Sequence, residues 1–174
     1  MLRRRFDFML LKSKDIAYLG VLLGLNQLFI ILSSVIETNT IILFSAAALI
    51  VGVVIIEFGR KSGIAFYIAS CILGFFLTFN KLELVTYILF FGLYSIIKHV
   101  LEVKINNKYM LYAAKFVYYN IAVLAMYFVV RLFLSFELKW WMILAAQVLF
   151  VIYDYAFAIF ISSYINNIKP KLRK

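Results

Sequence analysis

One 25-residue stretch, 112–136, limits most strongly what this chain can fold into. It reads YAAKFVYYNIAVLAMYFVVRLFLSF and is long enough to cross a bilayer, which takes about 20 residues. It nevertheless contains Lys115, Asn120 and Arg131. A charge in hydrocarbon costs several kcal/mol unless it is paired, solvated or able to reach the headgroups. The stretch therefore predicts a membrane helix whose polar side chains find partners elsewhere in the chain.

The rest of the sequence has the same character. It is 66% hydrophobic and 15% charged, with a mean hydropathy of +1.01, whereas a soluble domain has about 45–50% apolar and about 25% charged residues. The 174 residues leave room for about six spans and no separate soluble domain. We expect a single all-α integral membrane domain, 1–174, with six transmembrane helices at about 16–36, 41–58, 63–80, 83–100, 112–136 and 140–165.

The basic residues predict the orientation of this bundle. Fourteen of the 18 lie at the two termini, in the turn at 59–63 and in the region 98–110, whereas only Lys81 and Lys139 fall in the alternate connections. Loops rich in lysine and arginine stay in the cytoplasm. The pattern predicts a multi-pass protein of the cell membrane with both termini inside, and it explains the net charge of +10 without nucleic acid.

Two segments need separate interpretation. The basic N-terminus resembles a signal sequence, but the apolar run after it is too long and has no small-residue cleavage site, so it predicts a retained first helix. The fourth span is short, and we expect Lys98 to extend its side chain to the headgroups and 101–110 to form a cytoplasmic loop.

Distance along each helix, at about 1.5 Å per residue, suggests which polar groups share a depth. Asn120 and Asp154 fall slightly to the cytoplasmic side of the midplane and are a candidate hydrogen-bonded pair. Lys115 and Glu57 are a candidate structural ion pair. Asp154 could alternatively bond a tyrosine, a ligand or a proton.

Arg131 is the cation left without a partner by this pairing. Its planar guanidinium suits a ligand carboxylate or phosphate arriving from outside, but it could equally reach outer headgroups or a loop carbonyl. A ligand cavity in the outer half, rather than a packed core, predicts further substrate-binding residues: Gln147, Trp141, Tyr94 and Tyr87. Asp154, Asn26 and Gln27, nearer the midplane, are further candidates. Asn26 and Gln27 could instead hold helices together, and the tyrosines could pack in the core.

Familiar catalytic motifs are absent from the sequence. It has no phosphate-binding loop, no HExxH and no serine–histidine arrangement, and Cys71 is its one cysteine. We therefore expect neither an enzyme nor a bound metal or cofactor.

Small residues on the first span, Ala17, Gly20 and Gly24, form a strip where another helix can approach closely. Together with the six short helices, the turn at 58–63 (FGRKSG) and the basic inner loops, this strip resembles the substrate-capture (S) components of energy-coupling factor (ECF) vitamin transporters. The resemblance covers most of the chain.

That resemblance implies a function and partners. Members of this family bind a vitamin or related micronutrient near the outer face and dock through small residues of the first helix on a transmembrane scaffold subunit driven by two cytoplasmic ATPases. The helix count is also similar to that of MreD, a bacterial cell-shape membrane protein. A scaffold or assembly protein that transports nothing is therefore the alternative expectation.

Overall fold

The computed structural model describes residues 13–133 and 139–172, and within these ranges the chain is all helical, with no strand. Five helices are long and apolar enough to cross a membrane. They are α1 (Ser13–Val35), α2 (Thr40–Leu77), α3 (Lys81–Lys104), α4 (Lys108–Phe133) and α5 (Trp140–Ile168). A short helix, α6 (Lys169–Leu172), follows directly. The five long helices indicate a multi-pass membrane protein, which confirms the predicted all-α class.

The backbone of α2 leaves the helical conformation at Gly59, where φ is 83° and ψ is 170°. A positive φ of this size favours glycine, because a Cβ would clash with the neighbouring carbonyl. A Cβ built at Gly63 would collide with the side chain of Ile55, although residues eight apart in a straight helix are separated by about 12 Å. The chain therefore turns back around Gly59, at the position of the predicted 59–63 turn.

Helix α3 contains a π-helical segment, Tyr87–Gly92, between α-helical ends. A π-turn bonds residue i to i+5 and so displaces backbone carbonyls from the regular ladder. Two of these carbonyls accept bonds from tyrosines on other helices: Tyr67 donates to the Ile88 carbonyl at 2.7 Å, and Tyr118 donates to the Leu89 carbonyl at 3.0 Å. The irregular segment is thereby tied to α2 and α4.

Several predicted boundaries were wrong. Helix α3 extends to Lys104 instead of ending near 100, so the predicted loop at 101–110 shrinks to a connection at 105–107. Helix α4 begins at Lys108, four residues before the predicted start, while its predicted end at 136 lies outside the described residues. The N-terminal basic segment before Ser13 also lies outside them.

An aromatic core joins α2, α3, α4 and α5. Phe90 is its hub, with ring centroids 4.8–6.2 Å from those of Phe91, Tyr94, Tyr119, Phe150 and Tyr153. A second cluster of aliphatic and aromatic side chains, including Val51, Val54 and Phe66, packs the two halves of α2 against each other and against Ile96 of α3. These two clusters fix the relative rotation of the helices that bring the polar groups together.

Candidate functional site

The charged side chains of α3, α4 and α5 converge at one place. Lys98 and Lys115 both contact the carboxylate of Asp154; Lys98 donates to Oδ1, and the Lys115 Nζ lies 3.2 Å from each oxygen. Glu102 accepts from Lys115 at 2.9 Å and lies 3.4 Å from Lys98. The hydroxyl of Tyr94 donates to Asp154 at 2.5 Å. We call these five residues the charge cluster.

Burial divides the charge cluster into a closed part and an open part. Lys98 and Lys115 are only 3% and 4% exposed, whereas the side chain of Glu102 is 42% exposed. Two cations and two carboxylates balance, so the cluster carries no net formal charge. Burial of the two ionised lysines is tolerated only when they pair and bond in this way. Glu102 is the member through which the cluster reaches the surroundings.

Two clefts open beside the charge cluster. The first, of about 370 Å³, lies between α2, α3 and α5, and the second, of about 410 Å³, lies between α4 and α5. Glu102 and Ala158 line both clefts; Lys98 lines the first, while Lys115 and Asp154 line the second. Most of the remaining wall is apolar, including Ile161, Phe157 and Phe116. Volumes of this size hold small organic molecules.

Asn26 and Gln27 belong to a separate buried network. Asn26 donates to the Ala47 carbonyl at 2.8 Å and to the Tyr87 hydroxyl at 3.1 Å, and it accepts from Ser70 at 2.5 Å. Gln27 donates to the Ser70 carbonyl at 3.0 Å. These bonds link α1, both halves of α2 and α3. Of the two roles that the sequence allowed for Asn26 and Gln27, lining a cavity or holding helices together, the bonds correspond to the second.

Both polar pairs predicted from depth were wrong. Asn120 bonds the Phe116 carbonyl and accepts from Gln147 at 3.0 Å, whereas Asp154 bonds Tyr94, the tyrosine alternative. Lys115 pairs with Glu102 and Asp154 instead of Glu57.

Glu57 has different partners from those predicted. It lies 3.6 Å from Lys169 and accepts from Tyr164 at 3.3 Å. Lys169 also donates to the Ile56 carbonyl at 3.1 Å. These contacts hold the end of α5 and the start of α6 against the turn of α2.

The structure does not bring the residues predicted for an outer cavity together around either of the two clefts. Arg131 and Trp141 are exposed, and the Arg131 guanidinium lies 6.0 Å from the Tyr127 ring. Tyr87 and Tyr94 are fully buried. None of these four, nor Gln147, lines either of the two clefts. The substrate-binding role of Arg131 stays a prediction.

The small-residue strip on α1 faces away from the rest of the described chain. A Cβ built at Gly20 or Gly24 would meet no atom within 4 Å, and Ala17 is exposed. The strip is therefore open to an approaching helix, as docking requires.

Sequence reasoning missed Lys98 and Glu102 as site residues. Lys98 was expected to reach the headgroups, but it is buried because Asp154 on α5 supplies a counter-ion. Glu102 was placed in a loop although it lies four residues after Lys98 on one helix. That spacing puts two side chains on the same helix face. It is the feature of the sequence that could have identified Lys98 and Glu102 as a pair.

No protein-family model matches the chain, and no curated protein or solved structure matches it.

Proposed function

We propose that this chain is a solute-binding subunit of the cell membrane, with its ligand site at the charge cluster. The carrying observation is the position of Glu102, which is bonded to two buried lysines and open to two clefts of small-molecule size. A solute carboxylate or phosphate entering either cleft can replace Glu102 as the partner of Lys98 or Lys115. The apolar walls would hold its uncharged part.

The proposal includes six spans with both termini inside. A straight 38-residue α2 would measure about 57 Å, nearly twice the roughly 30 Å of hydrocarbon, and its reversal at Gly59 supports two crossings instead of one. Labelling of single cysteines tests this in a Cys71→Ser background. Six spans expose Arg60→Cys and Lys104→Cys on the inner side and Lys139→Cys on the outer side. With α2 as one crossing, Arg60 would lie within the membrane and Lys104 outside.

We propose more specifically that this solute-binding subunit is the S component of an ECF importer. The resemblance in sequence pattern and the open strip at Gly20 and Gly24 support docking on a transmembrane scaffold with two ATPases. The predicted orientation places the charge cluster nearer the inner face, because Glu102 lies just before the 105–107 connection. The proposed site therefore differs from the outer-face capture that the resemblance implies.

Ligand-induced stabilisation of the purified chain tests the function. We expect one member of a panel of vitamins, precursors and small anionic nutrients to raise the melting temperature. Lys115→Met removes a cation that the solute anion pairs with and should reduce or abolish that shift, whereas Glu102→Gln removes the competing carboxylate and should preserve or enlarge it. Glu57→Gln, at a carboxylate outside the clefts, should leave the shift unchanged. A shift lost in Arg131→Ala but kept unchanged in Lys115→Met would move the site to the outer half.

A second outcome would favour the scaffold function. If no panel member stabilises the chain, and a membrane partner other than an ECF scaffold co-purifies from native membranes, the chain is an assembly protein acting through its helix faces. The open α1 strip supports that alternative as well, because it suits any closely packed helix.

A further inference from the structure

Two amide side chains form a polar pair on the outer surface of α4 and α5. Gln147 donates to the Asn120 Oδ1 at 3.0 Å, and Asn120 donates to the carbonyl of Phe116, one turn earlier. Asn120 is exposed and lies 12 residues after the start of α4 and 13 before its end at Phe133. A helix of this length spans the hydrocarbon, so the exposed amide lies near the middle of it.

Aliphatic side chains lie within about one helical turn of each amide on α4 and α5. Each is more than half exposed: Val117, Ile121, Leu124, Leu144, Val148 and Val151, the last of which also lines the second cleft. Neither cleft includes Asn120 or Gln147. An amide without a full set of bonds is costly in such surroundings, which distinguishes this patch from an ordinary lipid-facing surface.

The bonds within the pair leave hydrogen-bonding capacity unused. Each amide nitrogen has two N–H groups and each amide oxygen two lone pairs. Asn120 and Gln147 each use one N–H, and the Gln147 Oε1 has no partner. The Gln147 Oε1 is itself buried. The donor and the acceptor that remain at the surface both belong to the exposed Asn120, which has one unused N–H and one unused lone pair on Oδ1.

We propose that this patch is the contact between two copies of the chain in the bilayer. An amide pair with a spare donor and a spare acceptor is self-complementary, because a copy related by a two-fold axis presents the acceptor where the first presents the donor. Amide bonds between helices stabilise association within membranes. The aliphatic side chains around the pair give both copies matching surfaces to pack.

The proposal does not depend on solute binding, because neither amide belongs to the charge cluster or lines a cleft. It predicts a dimer in lipid whose contact runs along α4 and α5. The first experiment is fluorescence transfer between labelled copies in vesicles over a range of protein-to-lipid ratios. Removing the amides with Asn120→Leu/Gln147→Leu should weaken association by about tenfold or more.

Asn166→Leu is the matched control. It removes an exposed asparagine from the end of α5, outside the patch, and should leave association unchanged. Melting temperatures of all three proteins separate loss of association from loss of folding, since the leucines are compatible with a lipid-facing position.

Cysteine cross-linking locates the contact independently of the amides. In a Cys71→Ser background, Val148→Cys should form disulfide-linked dimers on oxidation, and Val21→Cys, at least as exposed but on α1, should form few. A monomer at every protein-to-lipid ratio, or a dimer that is unaffected by the double leucine variant and cross-links through Val21→Cys, would overturn the proposal. Association only with a different protein would also overturn it.

Discussion

Replacing Asp154 with asparagine is the most informative perturbation of the charge cluster. The substitution keeps the shape of the side chain but leaves Lys98 and Lys115, both at least 96% buried, with Glu102 as their common counter-ion. Removal of one partner from a buried ion pair costs about 3–5 kcal/mol. For a chain of this size that corresponds to a fall in melting temperature of roughly 6–20 °C.

The other members of the charge cluster should respond by smaller amounts. Lys115→Met leaves Asp154 with Lys98 and Tyr94, so we expect a loss of about 1–3 kcal/mol. Glu102→Gln removes a carboxylate that is 42% exposed, and its loss should be about 1 kcal/mol or less.

The double variant Asp154→Asn/Lys115→Met gives the decisive comparison. It restores a balance of one buried cation, Lys98, and one carboxylate, Glu102, so it should be more stable than Asp154→Asn alone. Thermal unfolding of the four variants and the unsubstituted protein in one detergent, followed by circular dichroism, measures the order of their stabilities. If Asp154→Asn is no worse than Glu102→Gln and the second substitution restores nothing, the buried charges do not stabilise one another as the geometry requires.

Two further substitutions test the backbone features of the bundle. Gly59→Ala places a Cβ at a φ of 83° and should lower stability by about 1–2 kcal/mol, whereas Gly24→Ala, with open space around it, should be neutral or slightly stabilising in thermal unfolding. Tyr118→Phe deprives a π-helical carbonyl of its donor and should cost about 1–2 kcal/mol. Tyr127→Phe is its control, and equal melting temperatures for the two would contradict the bonding role.

The sequence alone predicted the helical class and the turn at 59–63, because apolar length and glycine spacing are local properties. It also indicated that Lys115 and Asp154 need partners, since the cost of a buried charge follows from composition. The partner predicted for Lys115, Glu57, was wrong, and so was the pairing of Asp154 with Asn120, whereas the tyrosine alternative for Asp154 agrees with its bond to Tyr94.

These errors arose because the partners were chosen by depth in the membrane alone. Asn120 and Asp154 share a depth, but a bond also requires that the two side chains face each other around the helix axes. The rotation of α5 is set by its packing against Phe90 and Tyr94, which turns Asp154 towards Lys98. Such packing involves residues far apart in the chain, and no periodicity in one segment encodes it.

The π-helical segment Tyr87–Gly92 also sets the angular phase between the two ends of α3. Each residue of an α-helix turns the chain by about 100°, and a π-turn accommodates one more residue than an α-turn. Because the wider turn already takes up that extra residue, a one-residue deletion there would let α3 run as an unbroken α-helix with Lys98 and Glu102 still directed at α5. An insertion of one residue after Gly92 would instead turn both side chains by about 100°. The segment thus lets one helix direct Tyr87 at Asn26 and Ser70 and direct Lys98 at Asp154.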